Sequence, residues 1–262
     1  TAFVRETSLV ECTFTGPPTG RSEMADIRVR YFLASREIPF AGHPTIATVA
    51  AMRDRGLIGD GEIRLETGAG IVPVTVSGDQ IEMTQVAPQF GVSPDLNLVA
   101  AAISLPAEAI IGAPQLVSTG LPFCITVLKD QSALAAARLD LAALAQLGAA
   151  LGADGIDMME PFLVTLQGAT SLGDTYSRLL MAPPSPPEDP FTGSATGAMA
   201  AYLWRHGMMD KDSFIAEQGH AMGRPGQARV TLVGSRDALQ GVRVAGTGYI
   251  LMRGTVDLPE AV

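Results

Sequence analysis

Two segments of this 262-residue chain match each other at a constant separation of 151 positions, and this repeat constrains the fold more than any other feature. Residues 37–52 read EIPFAGHPTIATVAAM and residues 188–203 read EDPFTGSATGAMAAYL, with seven identities in register. The same separation pairs Glu66 with Glu217 and Gly68 with Gly219. We interpret the repeat as an internal duplication that gives two halves, because the period is far too long for a solenoid repeat.

Each repeated segment begins with turn residues and continues as an apolar helix. The second helix carries no charge from Ala195 to Trp204, so it is expected to be buried inside its own half. The first is predicted from about Pro44 to Arg55, with Gly56 as its C-terminal stop. A glycine-rich turn that runs straight into a helix directs the first free backbone N–H groups at whatever lies beside the turn. Two facing units would therefore bring two helix N-termini to one cleft.

Short strand-like runs parted by glycine turns surround both predicted helices and favour rolled antiparallel sheets. The chain is long enough for two medium-sized domains. We place an N-terminal barrel-like domain at residues 1–113, completed by a C-terminal strand at 248–262, and a second barrel-like domain at 114–247. Residues 112–122 are the best candidate for the linker between them, since they lie near the midpoint that the duplication predicts.

Composition excludes several classes of partner. The net charge of −9 and the sequence pI of 4.8 disfavour nucleic acid and anionic membranes, because both attract basic surfaces. No apolar run reaches the roughly 18 residues that a membrane span needs. The two cysteines, Cys12 and Cys124, lack metal-ligand spacing, so a cytoplasmic protein with free thiols and no metal site is expected.

Four polar residues are candidates for chemistry. His43 follows Gly42 in the first turn and Ser194 follows Gly193 in the second, so they are equivalent under the repeat. Both could hold a carboxylate or an enolate-like charge at facing helix N-termini. The alternatives are that Ser194 is a plain N-cap and that His43 caps a turn. Asp189 precedes Pro190, which equally fits a turn or a cap, and Glu11 by itself reads as a solvated residue.

The chain resembles the phenazine-biosynthesis (PhzF-like) isomerase family. Its two signature segments are similar to residues Glu37–Thr45 and Glu188–Ala195, and VSTGLPF (117–123) and EQGHAMGRPG (217–226) also match. The segment RETSLVECTF (5–14) is similar to the family's RETNLSETTF, which puts the catalytic glutamate of the family at Glu11. The residues beside it differ, with Val10 and Cys12 in place of serine and threonine. The first strand and hairpin of the family are not in this chain.

The resemblance implies an α+β fold of the diaminopimelate-epimerase type, with two pseudo-symmetric β-barrel-like domains each wrapped around a central helix. It implies cofactor-independent proton transfer with Glu11, His43 and Asp189 as catalytic residues and with Gly42, Gly193 and Ser194 binding the substrate. It also implies a homodimer. Related racemases use a cysteine in each turn, but these turns contain His43 and Ser194, so a two-cysteine mechanism is excluded on chemistry.

Two hypotheses of function follow. In the first, the protein is an isomerase that moves a proton within a small carboxylic acid, with Glu11 as general acid and base and without a cofactor. In the second, it binds a small acid without turning it over. A structural partner protein that binds no small acid is a third and weaker alternative.

Overall fold

The computed structural model describes residues 12–19, 25–32, 36–153 and 159–254. Within these ranges the chain forms fifteen strands and five α-helices. The strands are β1 (Cys12–Gly16), β2 (Ile27–Phe32), β3 (Glu37–Ile38), β4 (Gly61–Thr67), β5 (Gly70–Ser77), β6 (Gln80–Gln85), β7 (Gln89–Phe90), β8 (Ile110–Ser118), β9 (Pro122–Leu128), β10 (Pro161–Thr165), β11 (Thr175–Leu180), β12 (Glu188–Asp189), β13 (Ser213–Gln218), β14 (Gly226–Ser235) and β15 (Ala238–Gly246). The helices are α1 (Gly42–Asp54), α2 (Leu96–Ala102), α3 (Gln131–Ala136), α4 (Leu141–Leu151) and α5 (Gly193–Arg205).

Strand pairing follows one scheme twice along the chain. In the first half, β2 pairs antiparallel with β1 and β3 and parallel with β4. In the second half, β11 pairs antiparallel with β10 and β12 and parallel with β13. Each set continues through two antiparallel strands, β5 and β6 or β14 and β15. The equivalent strands β6 and β15 then pair with each other, so the halves join in a pseudo-symmetric way.

The two repeated helices lie inside this sheet. Every residue of α5 from Gly193 to Leu203 is buried, as its lack of charge predicts. Helix α5 packs against β8, β9, β14 and β15, whereas α1 packs against β6 and touches α5. One hydrophobic core contains residues of both helices and of strands from both halves. The prediction of an α+β fold with two pseudo-symmetric halves, each around a central helix, is confirmed.

Helix α1 begins at Gly42, two residues before the predicted start, and Gly56 follows its end with a φ of 68°. That left-handed conformation suits glycine and stops the helix where the sequence predicted. A second cluster of buried residues lies between helices α2, α3 and α4 and the strands of the second half. Strands β10 and β11 are consequently buried along their whole length, as expected of strands covered on both faces.

Two expectations about connections need correction. Residues 110–118 form strand β8 and pair with β7 and β9, so most of the segment expected to be a linker is part of the sheet. The expected closing strand is absent over its described part, residues 248–254. This stretch instead runs along α1, where Gly248 lies close to Ala50 and Arg253 binds Asp54. The domain limits at 113 and 247 stay a prediction.

Within the described residues, the chain contains no helix of the length and apolarity that crossing a membrane would need.

Candidate active site

The backbones at the N-termini of α1 and α5 are in direct contact. A Cβ atom added to Gly42 would lie 2.7 Å from the amide nitrogen of Ser194 and 2.8 Å from the carbonyl carbon of Gly193. A Cβ atom added to Gly193 would lie 3.2 Å from the amide nitrogen of His43. Only glycine permits such an approach of two main chains. The structure therefore brings the four predicted turn residues, Gly42, His43, Gly193 and Ser194, to one place.

Neither helix uses a side chain to cap its N-terminus. The N-cap residue of α1 is Ala41 and that of α5 is Thr192, and neither makes a side-chain cap hydrogen bond. The alternative that Ser194 is a plain N-cap is wrong, because Ser194 lies inside the first turn of α5 and is buried. Free N–H groups at a helix start carry partial positive charge and attract anions. The junction of the two helices is therefore suited to a carboxylate.

Asp189 lies on β12, three residues before the N-cap of α5, and only 1% of its surface is exposed. One carboxylate oxygen, Oδ2, accepts a 2.6 Å hydrogen bond from the hydroxyl of Thr192. The other, Oδ1, is buried and has no hydrogen-bond partner among the described residues. Buried polar atoms are almost always paired, so this carboxylate oxygen is a candidate contact for a bound molecule.

Gln85 and Thr119 hold the first turn of α5 from outside the helix, and our sequence analysis missed both. Gln85 donates through Nε2 to the carbonyl oxygen of Gly193 at 2.8 Å. Thr119 donates to Oε1 of Gln85 at 2.6 Å and approaches the carbonyl oxygen of Ser194 at 3.3 Å. A Cβ atom on Gly197 would lie 1.8 Å from Oε1 of Gln85, so glycine leaves room for this side chain. Thr119 belongs to the VSTGLPF segment, whereas no sequence signal marks Gln85.

Glutamates at equivalent positions of the two halves make the same hydrogen bonds. Glu66 accepts from the amide nitrogen and the hydroxyl of Thr19, and Glu217 accepts from the same two groups of Thr170. Burial alone would raise the pKa of Glu217, but hydrogen bonds from Thr170 and Gln227 lower it overall. The carboxylates of Glu66 and Glu217 bind the loops that contain Thr19 and Thr170, so their oxygens already accept hydrogen bonds.

A repeated arginine–glutamate pair fixes the short strands β3 and β12. Arg30 binds Glu37 through Nε and Nη2 at 2.8 and 2.7 Å, and Arg178 binds Glu188 through the same atoms at 2.9 and 2.7 Å. The side chains of the first pair are 42% and 43% exposed, those of the second 11% and 10%. The hydrogen bond to Glu188 raises the pKa of Arg178, which keeps the guanidinium charged. The buried pair anchors the strand that carries Asp189.

Glu11 lies outside the described residues. The next residue, Cys12, begins β1, and Thr13 forms a 2.7 Å hydrogen bond with Thr48 of α1. The chain that follows Glu11 therefore runs beside the helix whose N-terminus forms half of the junction.

Among the described side chains, Cys124 is a free cysteine and is buried. Burial raises the pKa of the Cys124 thiol to about 12, which keeps it protonated at neutral pH. Among the described residues, no group of three or more His, Cys, Asp or Glu side chains is arranged to hold a metal ion.

The fold, with two pseudo-symmetric halves that each surround a buried helix, defines a structural class of protein. Comparison with known proteins shows which family within this class the chain belongs to. The family model of the phenazine biosynthesis-like proteins (PhzC-PhzF) matches residues 2–254. The chain belongs to this family, and it is an isomerase.

Three relatives illustrate the similarity. An uncharacterized isomerase, YfhB, from Bacillus subtilis is 30% identical over 221 residues, which cover 81% of this chain and 74% of that protein. The trans-2,3-dihydro-3-hydroxyanthranilate isomerase of Pseudomonas chlororaphis is 29% identical over 269 residues, covering 98% and 87%. The crystal structure of a Bacillus anthracis phenazine biosynthesis protein of the PhzF family superposes with a TM-score of 0.72 at 26% identity, covering 87% of this chain and 79% of that one.

Proposed function

We propose that this isomerase moves a proton within a small carboxylic acid by general acid/base catalysis and without a cofactor. Glu11, His43 and Asp189 are the proposed catalytic residues, and Gly42, Gly193 and Ser194 bind the substrate. The observation that carries the proposal is the meeting of two uncapped helix N-termini beside a buried carboxylate with one unpaired oxygen.

The substrate carboxylate would lie against the amide groups of the helix junction. Helix N-termini stabilise anions through free N–H groups and the helix dipole, typically by about 0.3–1 kcal/mol each at exposed sites and more when partly buried. A carbon conjugated with the carboxylate becomes acidic because the charge left by its proton spreads onto the carboxylate oxygens. Amide groups preorganised around those oxygens therefore stabilise the charged intermediate as well as the bound acid.

Proton transfer needs side chains that can gain and lose a proton beside the bound acid. Glu11 takes a proton from the acidified carbon and returns one to another carbon of the same molecule. Asp189 and His43 relay or position protons. Each well-placed acid/base group contributes roughly 10²–10⁴ in rate. The relative named trans-2,3-dihydro-3-hydroxyanthranilate isomerase suggests a cyclic, unsaturated amino acid as the first substrate to test.

The function can be tested by proton exchange with solvent. We expect the protein to convert trans-2,3-dihydro-3-hydroxyanthranilate in deuterated water into an isomer that carries deuterium at its new C–H position, as NMR would detect. Dialysis against EDTA should leave the rate unchanged, because no step uses a metal. Binding of this acid without deuterium incorporation over a long incubation would favour the alternative of a non-catalytic acid-binding protein. Loss of activity on dialysis that a metal restores would contradict cofactor independence.

Gly42→Ala should lower kcat/KM on this substrate by about a hundredfold, because a methyl group would push apart two backbones that must converge on the substrate. It should also destabilise the fold by about 1–3 kcal/mol through overpacking. Steady-state kinetics and urea unfolding measure the two effects. Gly16→Ala is the matched control, because nothing lies within 4 Å of a Cβ at Gly16. Wild-type kinetics of the Gly42 variant would show that the junction does not bind substrate.

We also propose that the two halves arose by internal duplication. Its support is that contacts recur at a separation of 151 positions. Gly68 packs on Pro39 as Gly219 packs on Pro190. Thr19 binds Glu66 as Thr170 binds Glu217.

The homodimer implied by the family resemblance stays a prediction, which sedimentation in solution would test.

A further inference from the structure

The side-chain amide of Gln218, at the end of β13, has only one possible orientation. Its Oε1 accepts a 3.0 Å hydrogen bond from the backbone N–H of Thr192, and its Nε2 donates at 2.8 Å to the backbone carbonyl of Asp189. A backbone N–H can only donate and a carbonyl can only accept. These two contacts therefore determine which end of the amide is nitrogen.

The direction of the Thr192 hydroxyl follows from this orientation. The remaining hydrogen on Nε2 of Gln218 points to Oγ1 of Thr192 at 3.2 Å, so Oγ1 accepts there. The hydroxyl hydrogen is then free to be donated to Oδ2 of Asp189, 2.6 Å away. A separation of about 2.5–2.7 Å is typical of a hydroxyl bound to an ionised carboxylate. Oδ2 of Asp189 is therefore occupied as the acceptor of the hydrogen bond from the Thr192 hydroxyl.

We propose that Asp189 exchanges a proton with the substrate through Oδ1. Thr192 and Gln218 are positioning residues, because Gln218 orients the Thr192 hydroxyl and this hydroxyl keeps Oδ2 occupied as a hydrogen-bond acceptor. This inference rests on the proposed function, since it assigns the atom at which Asp189 acts. Oδ1 is buried and has no partner among the described residues, so it is the oxygen left to gain and release a proton. When the substrate gains a proton, the O–H bond at Oδ1 breaks as a C–H bond of the substrate forms. When the substrate loses a proton, that C–H bond breaks as the O–H bond at Oδ1 forms.

The three polar residues Asp189, Thr192 and Gln218 have no identical counterparts in the first half of the chain. Positions 151 residues before Asp189, Thr192 and Gln218 hold Ile38, Ala41 and Thr67. The first half nevertheless forms the equivalent short strand, turn and helix, β3 and α1. The fold of a half therefore does not require these three polar side chains, which points to a task specific to Asp189.

Thr192→Val tests the inference, with Thr192→Ser as the matched control that keeps the hydroxyl. With trans-2,3-dihydro-3-hydroxyanthranilate as the substrate, we expect Thr192→Val to lower kcat by about tenfold to a hundredfold with KM little changed, the usual effect of losing a hydrogen bond to a charged group. Thr192→Ser should retain most of the activity. Equal losses in the two variants, or a wild-type kcat in Thr192→Val, would overturn the positioning role.

A double-mutant cycle separates positioning from a structural role of Thr192. Because Thr192 acts through the carboxylate of Asp189, Thr192→Val should cause no further loss of kcat in an Asp189→Asn background. A structural role would lower kcat equally in both backgrounds and would overturn the inference. Wild-type activity of Asp189→Asn would instead refute the proposed function itself. If Asp189→Asn loses activity and Thr192→Val keeps the wild-type kcat, only the present inference fails.

The choice of Oδ1 has a direct structural test. In crystals of Asp189→Asn soaked with the same acid, the Thr192 hydroxyl should still bind the side-chain oxygen, which leaves the amide nitrogen facing the reacting carbon. An acid bound beside the oxygen that Thr192 holds would overturn the assignment of Oδ1.

Discussion

Replacing Glu11 by glutamine should reduce the rate of isomerisation and of deuterium incorporation by at least about 10²–10⁴, the usual contribution of one general acid/base group. Glutamine has nearly the same shape but cannot accept and return a proton at neutral pH. KM should change much less than kcat, because the carboxylate of the substrate is proposed to bind to the helix junction rather than to Glu11. The measurement is single-turnover incorporation of deuterium, followed by NMR.

Glu62→Gln is a suitable control for this experiment. Glu62 lies on an exposed part of β4, so the same change of charge there should leave the rate unaltered. Full exchange in Glu11→Gln would exclude Glu11 as the base and would leave Asp189 and His43 as the remaining candidates. Loss of exchange in both Glu11→Gln and Asp189→Asn would indicate that two groups act on opposite steps.

Arg178→Met should destabilise the protein by about 3–5 kcal/mol, the usual result of leaving one member of a buried ion pair without its partner. Glu188 would lose two hydrogen bonds in a place where little water reaches it. Arg178 also donates through Nη1 to the carbonyl of Leu134 at 2.9 Å, so its loss loosens α3 as well as β12. The measurement is the free energy of unfolding from urea titration.

Arg30→Met is the matched control, because the Arg30–Glu37 pair joins the same atoms at nearly the same distances as the Arg178–Glu188 pair. The Arg30–Glu37 pair is about two-fifths exposed, and exposed pairs contribute only about 0–1 kcal/mol. Similar losses in the two variants would mean that burial does not govern the strength of the pair. We expect activity to fall only in Arg178→Met, because Glu188 precedes Asp189 on the strand that its pair anchors.

Much of the fold could be predicted because it depends on local patterns. The uncharged run after Ala195 predicts a buried helix, and α5 is buried from Gly193 to Leu203. The repeat predicts that two glycine turns and two helix N-termini come together, and the backbones at Gly42 and Gly193 are in close contact. The prediction failed for residues 112–122, which lie near the midpoint of the repeat and were expected to be a linker. Residues 115–118 instead pair with β9, and Val117 and Ser118 also pair with β7, whereas Gly112 and Pro114 lie in the irregular part of β8.

The candidate site was predictable only in the parts that the repeat marks. His43 and Ser194 are paired by their positions, and the structure brings their backbones together. Glu11 was indicated only by the family resemblance, and it lies outside the described residues. The side chains around Asp189 could not be assigned from sequence, because an Asp-Pro dipeptide equally fits an ordinary turn.

The sequence by itself determined that this chain has two equivalent halves, two glycine turns and two helices that begin at those turns. These features follow from residue spacing and from backbone preferences that act over a few positions. Only the tertiary structure decided that Gln85 reaches Gly193 across 108 positions, and that Gln218 and Thr192 commit one oxygen of Asp189. Such contacts depend on how distant strands pack around α5, since a buried amide takes whatever donors and acceptors the packing brings to it.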